Sequence, residues 1–311
     1  MHTRAIILEA PERLDVRLTA LREVMAGDVV VDVRWSGISS GTEKLLWNGE
    51  MPSFPGMGYP LVPGYESIGQ IVDAGADCEA RIGEWVFVPG ADCYREARGL
   101  FGGNAQRPIV PSVRALPVPE RLGASGVLIA LAATAQHALA HGEAPQLIVG
   151  HGVLGRLMAR LVIASGAPAP IVWENSEARM AGAQGYAVIH PEADDRRDYQ
   201  AVCDLSGDPA VLDSLVGRIA KGGEILLAGF YRDRLSFDFA PAFQREARIR
   251  IAAEWQPDDL KTTLALIETG ALDLSGLITD VAPARDAAEA YPHAFEAADC
   301  LKMVLDWSQA E

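Results

Sequence analysis

The sequence predicts an α/β protein in two parts, a β-rich part and a doubly wound parallel sheet. Three observations carry that expectation. The first is a glycine pattern, Gly150, Gly152 and Gly155, spaced G-x-G-x-x-G. The second is its setting, with an apolar run before it and a helical run after it. The third is a contrast along the chain: strand and helix signals alternate after the first 122 residues and not within them.

The glycine stretch has a role for each residue. Leu147-Ile148-Val149, bounded by Pro145, reads as a buried strand. Val153, Leu154, Leu157, Met158, Leu161, Val162 and Ala164 recur at helical spacing. A second short strand follows and ends in an acid, Glu174. Strand, glycine turn, helix, strand and terminal acid make a dinucleotide-binding unit of the Rossmann kind. Gly150 allows the tight turn, Gly152 lets the backbone approach a pyrophosphate, and Gly155 lets the helix sit close on the strand. The turn residues Gly150, His151, Gly152, Val153, Leu154 and Gly155 are therefore the expected phosphate cradle, at a helix N-terminus that favours negative charge. The Glu174 carboxylate suits a ribose 2′-hydroxyl and repels a 2′-phosphate, which favours NAD over NADP. Arg179 is the nearby residue that argues the other way. The competing reading is a tight turn with no ligand.

Bulk properties narrow the field. A chain of 311 residues exceeds the usual size of one domain, and 49% hydrophobic content supplies ample core. A net charge of −15 argues against a nucleic-acid partner. No membrane span is expected, and the start of the chain reads as no export signal, so a cytoplasmic location is expected. Cys78, Cys93, Cys203 and Cys300 form no C-x-x-C pair and read as reduced thiols.

Taken in order, residues 5–8, 28–35, 67–72 and 84–88 read as strands separated by Gly and Pro. A helical run over 127–139 leads into the glycine turn. Strands are expected at 200–206, 223–229 and 248–255, with helices at 209–220 and 258–270. Residues 302–307 read as a strand returning to the first part. The expected domains are 1–122 with 257–311, and 123–256.

Several segments resemble the medium-chain dehydrogenase/reductase family: Ser36-Gly-Ile-Ser-Ser-Gly-Thr-Glu43, Val62-Pro-Gly-Tyr-Glu66, Gly83-Glu-Trp-Val86, Ala132-Ala-Thr-Ala-Gln-His-Ala138 and the glycine turn. The resemblance covers nearly the whole chain and implies a GroES-like catalytic domain beside the Rossmann domain. Zinc members of that family carry Cys-Gly-x-Cys-x-Thr-Asp and Gly-His-Glu at the first two places. Here Ser39 or Ser40 stands for the ligand cysteine and Tyr65 for the ligand histidine. Only Ile129-Ala130-Leu131 stands where a third ligand would come. Hydroxyls are poor substitutes for thiolate and imidazole, so no catalytic metal is expected. The four-cysteine structural loop is also missing. Residues 35–47, 51–66, 98–103 and 149–157 most resemble a zinc-free branch. That branch oxidises the 3-(1-hydroxyethyl) group of a bacteriochlorophyllide to acetyl with NAD+, a step of bacteriochlorophyll biosynthesis.

The resemblance assigns roles. Thr42 stands where the family relays the alcohol proton, and its other reading is a turn residue. Tyr65 either holds the substrate oxygen or fills the vacated metal cavity. Glu66 is a candidate base or a structural acid, and Ser39 and Ser40 are polar lining. Thr134 matches a residue that reaches the nicotinamide. Ser206, Gly229 and Phe230 end the late strands, at the edge where the nicotinamide half belongs. Trp47, Met51, Phe54 and Tyr59 lie in a loop with no helical or strand period. They read as the wall of a pocket for a flat apolar tetrapyrrole, or as a satellite core. His137 reads as a packed histidine. A homodimer through the strand at 248–253 is expected, as in relatives of this architecture. Two other functions remain open: a zinc-free NAD(P)H-dependent reductase of quinones or enones, and a non-catalytic NAD-binding protein.

Overall fold

Apolar and β-branched runs become the central strands of the first unit. Ile6-Ile7-Leu8 lies in β1 (His2–Ala10) and Val29-Val30-Val31 in β3 (Asp28–Ile38), and all six side chains are buried. The computed structural model describes residues 1–53 and 55–308 and forms two compact units, 1–130 with 277–311, and 131–276.

In the first unit, β1 pairs antiparallel with β2 (Arg13–Ala20) and with β4 (Leu61–Val62). β7 (Arg98–Gly99) completes that four-stranded sheet. Between β3 and β4 lies a short helix, α1 (Thr42–Asn48), closed by Gly49 at φ +72. The second sheet runs from β3 through β5 (Ser67–Ala74) and β6 (Trp85–Val88) to β9 (Leu116–Pro117), with β8 (Ile109–Pro111) also on β3.

The second unit starts within α2 (Ile129–Ala140) and carries six parallel strands in the spatial order β12-β11-β10-β13-β14-β15. Their ranges are β10 (Leu147–Val149), β11 (Ile171–Trp173), β12 (Ala187–Ile189), β13 (Tyr199–Asp204), β14 (Ile219–Leu227) and β15 (Arg248–Ile251). The helices are α3 (Val153–Ala164), α4 (Glu177–Met180), α5 (Leu212–Val216), α6 (Phe239–Arg245) and α7 (Pro257–Glu268). The order in which successive strands are added reverses between the parallel neighbours β10 and β13, which is where a doubly wound sheet opens its ligand crevice. The tail then adds β16 (Asp280–Pro283), α8 (Ala287–Glu296) and β17 (Met303–Asp306) to the first unit. As expected for 302–307, β17 returns to the first unit; there it joins β3, pairing Met303 with Ile38 and Leu305 with Ser36.

Several expectations need correction. The helix expected at 209–220 is the shorter α5, because Ile219 is already paired with Tyr199 in the sheet. The strand expected to 255 ends at Ile251. Residues 257–276 pack with the nucleotide unit and not with the tail. His137 bonds Asp259 at 2.8 Å, and Arg160 donates to the carbonyls of Asp273 and Ser275. One helical stretch, Glu120–Ala140, is long and apolar enough to cross a membrane by length and composition alone. It bends at Gly123, and half of it is buried among core residues such as Val127, Leu128, Ala132 and Ala133.

Candidate active site

The glycine turn follows β10, and its three glycines differ in what they do. Gly150 has φ +99, open to glycine at little cost. A Cβ on Gly155 would collide with the carbonyl oxygen of Gly150, so no larger residue fits there. A Cβ on Gly152 would meet nothing, which leaves open space over the N-terminus of α3. No side chain caps that helix. Its first N–H groups are therefore available to an anion. Gly150 approaches the backbone of Ser206 across the crevice. These features fit a dinucleotide pyrophosphate.

Glu174 directly follows β11 and is held in a fixed orientation. Its Oε2 accepts the His151 N–H at 3.0 Å, and its Oε1 accepts the N–H groups of Asn175 and Ser176 at 2.8 Å each. His151 is buried, and burial lowers its imidazole pKa. Its Nδ1–H donates to the Arg179 carbonyl at 2.6 Å, which leaves Nε2 to accept from the Tyr186 hydroxyl at 2.9 Å. The ring is a strut, and only the backbone of His151 faces the turn. Arg156, which sequence reasoning missed, clamps the same loop by donating to the carbonyls of His151, Arg179 and Ala181.

At the carboxyl ends of β13 and β14, Ser206 Oγ donates to Asp204 at 2.7 Å, and the Tyr231 hydroxyl donates to the same carboxylate at 2.5 Å. Gly229 packs against Gly207, and Phe230 is exposed beside it. Thr134 sits midway along α2, partly exposed.

In the first unit, α1 and the segment after β4 bring three hydroxyls together. Tyr65 Oη donates to Ser39 Oγ at 2.6 Å and stands 3.4 Å from Thr42 Oγ1. A phenol has one proton, so Thr42 is left to donate toward Tyr65 or outward. Burial pushes the Tyr65 pKa further above its ordinary value, with the Glu66 charge adding to it, and the phenol stays neutral. Ser40 is exposed on the turn, so Ser39 is the serine that replaces the cysteine. A zinc ion does not fit this set. Among the described residues its nearest polar side chains are hydroxyls, with no thiolate or imidazole.

Behind the hydroxyls lies a buried charged layer. Glu66 forms an ion pair with Lys302, whose Nζ also donates to the Ile38 carbonyl at 3.0 Å. Both groups are shut from water, and the pairing sets Glu66 apart from an available base. Glu43 accepts the Ser39 N–H at 3.1 Å, the Tyr291 hydroxyl at 2.7 Å and the Asn104 amide at 3.2 Å. Burial pushes its pKa up to about 7. Glu43 could have been found in the sequence, since it follows Thr42 where zinc members carry an Asp. Lys302, Tyr291 and Asn104 carried no local signal.

The loop between α1 and β4 is drawn inward. Met51 is buried with Leu8, Leu46, Leu61 and Leu100. Tyr59 joins that cluster and donates its hydroxyl to the Leu46 carbonyl. Trp47 packs on Tyr291 and Phe295 at ring separations of 6.1 and 6.4 Å. Met51 thus lies in a satellite core, while Trp47, in α1, and Tyr59 pack against that core and keep part of their surface exposed. Phe54 lies outside the described residues.

Comparison with known proteins extends this geometry. The alcohol dehydrogenase GroES-like domain matches residues 25–120. The chain is 55% identical over 314 aligned residues to the 2-desacetyl-2-hydroxyethyl bacteriochlorophyllide A dehydrogenase of Rhodobacter capsulatus, covering 100% of both chains. The protein of that name from Cereibacter sphaeroides is also 55% identical, over 99% of both. Among solved structures, an Escherichia coli alcohol dehydrogenase complexed with NADH superposes with a TM-score of 0.84 at 21% identity, covering 98% of this chain and 99% of that one. That likeness bears on the fold, while the full-length identity to the two curated proteins bears on the branch. The chain belongs to the medium-chain dehydrogenase/reductase family, in the branch of the 2-desacetyl-2-hydroxyethyl bacteriochlorophyllide A dehydrogenases.

Proposed function

We propose that this chain oxidises the hydroxyethyl side chain of a bacteriochlorophyllide to an acetyl group, with NAD+ as hydride acceptor, in bacteriochlorophyll biosynthesis. The observation that carries this reading is the full-length 55% identity to two dehydrogenases named for that hydroxyethyl substrate. The site supports it in two ways. Glu174 is oriented to receive ribose hydroxyls, which favours NAD over NADP. Ser39, Thr42 and Tyr65 offer a hydroxyl cluster to an alcohol oxygen.

The reaction takes a hydride from the carbinol carbon and a proton from its oxygen. Bound NAD+ supplies the hydride acceptor. Thr42 and Tyr65 hold the alcohol oxygen by hydrogen bonds, and the proton leaves along the hydroxyls to water. Neither residue is a strong base at neutral pH. The substrate eases the demand, because the carbinol carbon is attached to an extended aromatic ring and the new carbonyl is conjugated with it. Orientation against the nicotinamide then supplies much of the rate. The phosphate cradle comprises Gly150 to Gly155, with Thr134, Ser206, Gly229 and Phe230 toward the nicotinamide half. No metal takes part at the alcohol oxygen.

A homodimer goes with this reading. Among the described residues β15 is paired on one side only, by β14, and Ile251, Phe239 and Phe243 are largely exposed beside it. An open edge with neighbouring apolar surface favours pairing with a second copy. Light scattering at micromolar concentration should give twice the chain mass, and a monomer mass would count against the dimer. A cytoplasmic location belongs to the same reading.

The test is incubation of the purified chain with NAD+ and a hydroxyethyl-bacteriochlorophyllide. The account expects acetyl product and NADH in equal amounts. A quinone or enone reductase would leave this substrate untouched and consume NAD(P)H, and a non-catalytic protein would do neither.

A further inference from the structure

Three donors of different chemistry converge in the first unit, away from the hydroxyl cluster. They are the Asp280 carboxylate at the start of β16, the His293 imidazole on α8 and the Cys300 thiol just before β17. One ligand atom from each lies within 4.8 Å of the other two. His293 Nε2 stands 3.2 Å from Asp280 Oδ1.

The backbone holds these residues in place without help from an ion. The Asp280 N–H donates to the Lys302 carbonyl at 3.2 Å, and the Leu301 N–H to Thr279 Oγ1 at 2.8 Å. The Cys300 N–H donates to the Ala297 carbonyl, and the Ala297 N–H to the His293 carbonyl. Cys300 is buried, while the Asp280 and His293 side chains are 29% and 49% exposed. The cluster thus has a closed floor and a side open to solvent.

Burial raises the Asp280 pKa, but bonds from Thr279, Cys300 and His293 outweigh it and hold the group below the usual carboxylate range. Burial, then the bond to Asp280, pushes the Cys300 thiol up to about 12. Without an ion, Cys300 is a neutral thiol and Asp280 the acceptor between two donors.

We propose that Asp280, His293 and Cys300 form a three-ligand site for a borderline divalent metal ion of the zinc type, separate from the alcohol-oxidising site. Sulfur, nitrogen and carboxylate oxygen together select such ions, whereas magnesium and calcium take oxygen alone. Binding replaces the thiol proton with the metal, so one proton is released per ion bound. Tetrahedral bonds of about 2.0–2.3 Å put donors roughly 3.3–3.8 Å apart, so a pair at the 4.8 Å limit closes by about 1–1.5 Å. The half-exposed His293 ring has the freedom to supply that movement. A bound ion would tie β16, α8 and the segment before β17 together.

The experiment uses the full chain, freed of metal with a chelator and titrated with Co2+, with Zn2+ as competitor. The proposal expects one equivalent to bind tetrahedrally with a thiolate-to-cobalt charge-transfer band. The hydroxyl cluster offers no thiolate and cannot produce that band. Cys300→Ser should remove the band, and His293→Ala should weaken binding by more than about a hundredfold, beyond the usual effect of losing an outer-shell partner. His293 is half exposed, so that variant reads out the site even if Cys300→Ser folds poorly. Zn2+ should raise the melting temperature of the parent chain and not of either variant. Absence of the band, its survival in Cys300→Ser, or unchanged affinity in His293→Ala would overturn the proposal.

Discussion

In the proposed reaction the glycine turn and the hydroxyl cluster each hold one half, and they are assembled in opposite ways. The turn is made by consecutive residues, 150–155, plus one acid a strand away. The cluster joins Ser39, Thr42 and Tyr65 from two segments and rests on Glu43, Glu66, Asn104, Tyr291 and Lys302. Backbone shape defines the first, and side chains far apart in sequence define the second. The teaching is that the turn tolerates change around it but not within it, whereas the cluster tolerates no loss of a buried partner.

The sharpest way to break the comparison is Gly155→Val. Its Cβ has nowhere to go but the Gly150 carbonyl, so NAD+ binding measured by calorimetry should be abolished. A variant that still binds NAD+ normally would show that the turn is not held by that close approach.

Tyr65→Phe and Thr42→Val should each lower turnover by roughly ten- to a thousandfold while leaving NAD+ affinity unchanged. Steady-state rates together with calorimetry separate the two effects. Full activity in both variants would place the proton path elsewhere.

Glu43 sharpens the contrast through pH. Its folded pKa of about 7 lies above its ordinary value of 4.5, so between these values the native state binds more protons than the unfolded state. Stability should therefore fall as pH rises from 4.5 to 7, by up to about 3 kcal/mol. Glu43→Gln should flatten that slope in denaturant titrations. An unchanged slope would assign the pH dependence to other groups.

The smallest effect is expected at Glu174. Glu174→Ala should weaken NAD+ binding by about tenfold, as befits a hydrogen bond to a charged group, and narrow the preference over NADP+. A parent chain that prefers NADP+ would reverse the cofactor assignment.

The same contrast explains what was legible in the sequence. The parallel sheet with helices between its strands followed from one motif and the strand-helix alternation, although β12 was not anticipated. The return of β17 to the first unit followed from the apolar run at the chain's end, whereas its pairing with β3 is visible only in the fold. Helix α8 was hidden because Pro292, inside it, reads as a helix breaker. Helix α1 was hidden because Gly41 and Gly49 bound only seven residues. Helix α5 was drawn too long because Ile219 and Ala220 continue an apolar run that the sheet claims. In the site, Thr42 stood out because it keeps the threonine of a family motif, and Tyr65 because it replaces a motif histidine. Lys302 and Tyr291 did not, because only the fold brings them to Glu66 and Glu43. The inward packing of Met51 was not legible for the same reason: sequence shows that it is apolar, not which way it faces.

The central claim is that hydroxyl groups stand at the alcohol site in place of a metal. The most direct measurement is turnover of hydroxyethyl-bacteriochlorophyllide with NAD+ by the His293→Ala chain, stripped of metal and verified by elemental analysis. That variant removes the peripheral cluster as a source of bound ion. The account predicts acetyl product and NADH at the rate of the untreated chain, and activity that vanishes on stripping and returns with zinc would contradict it.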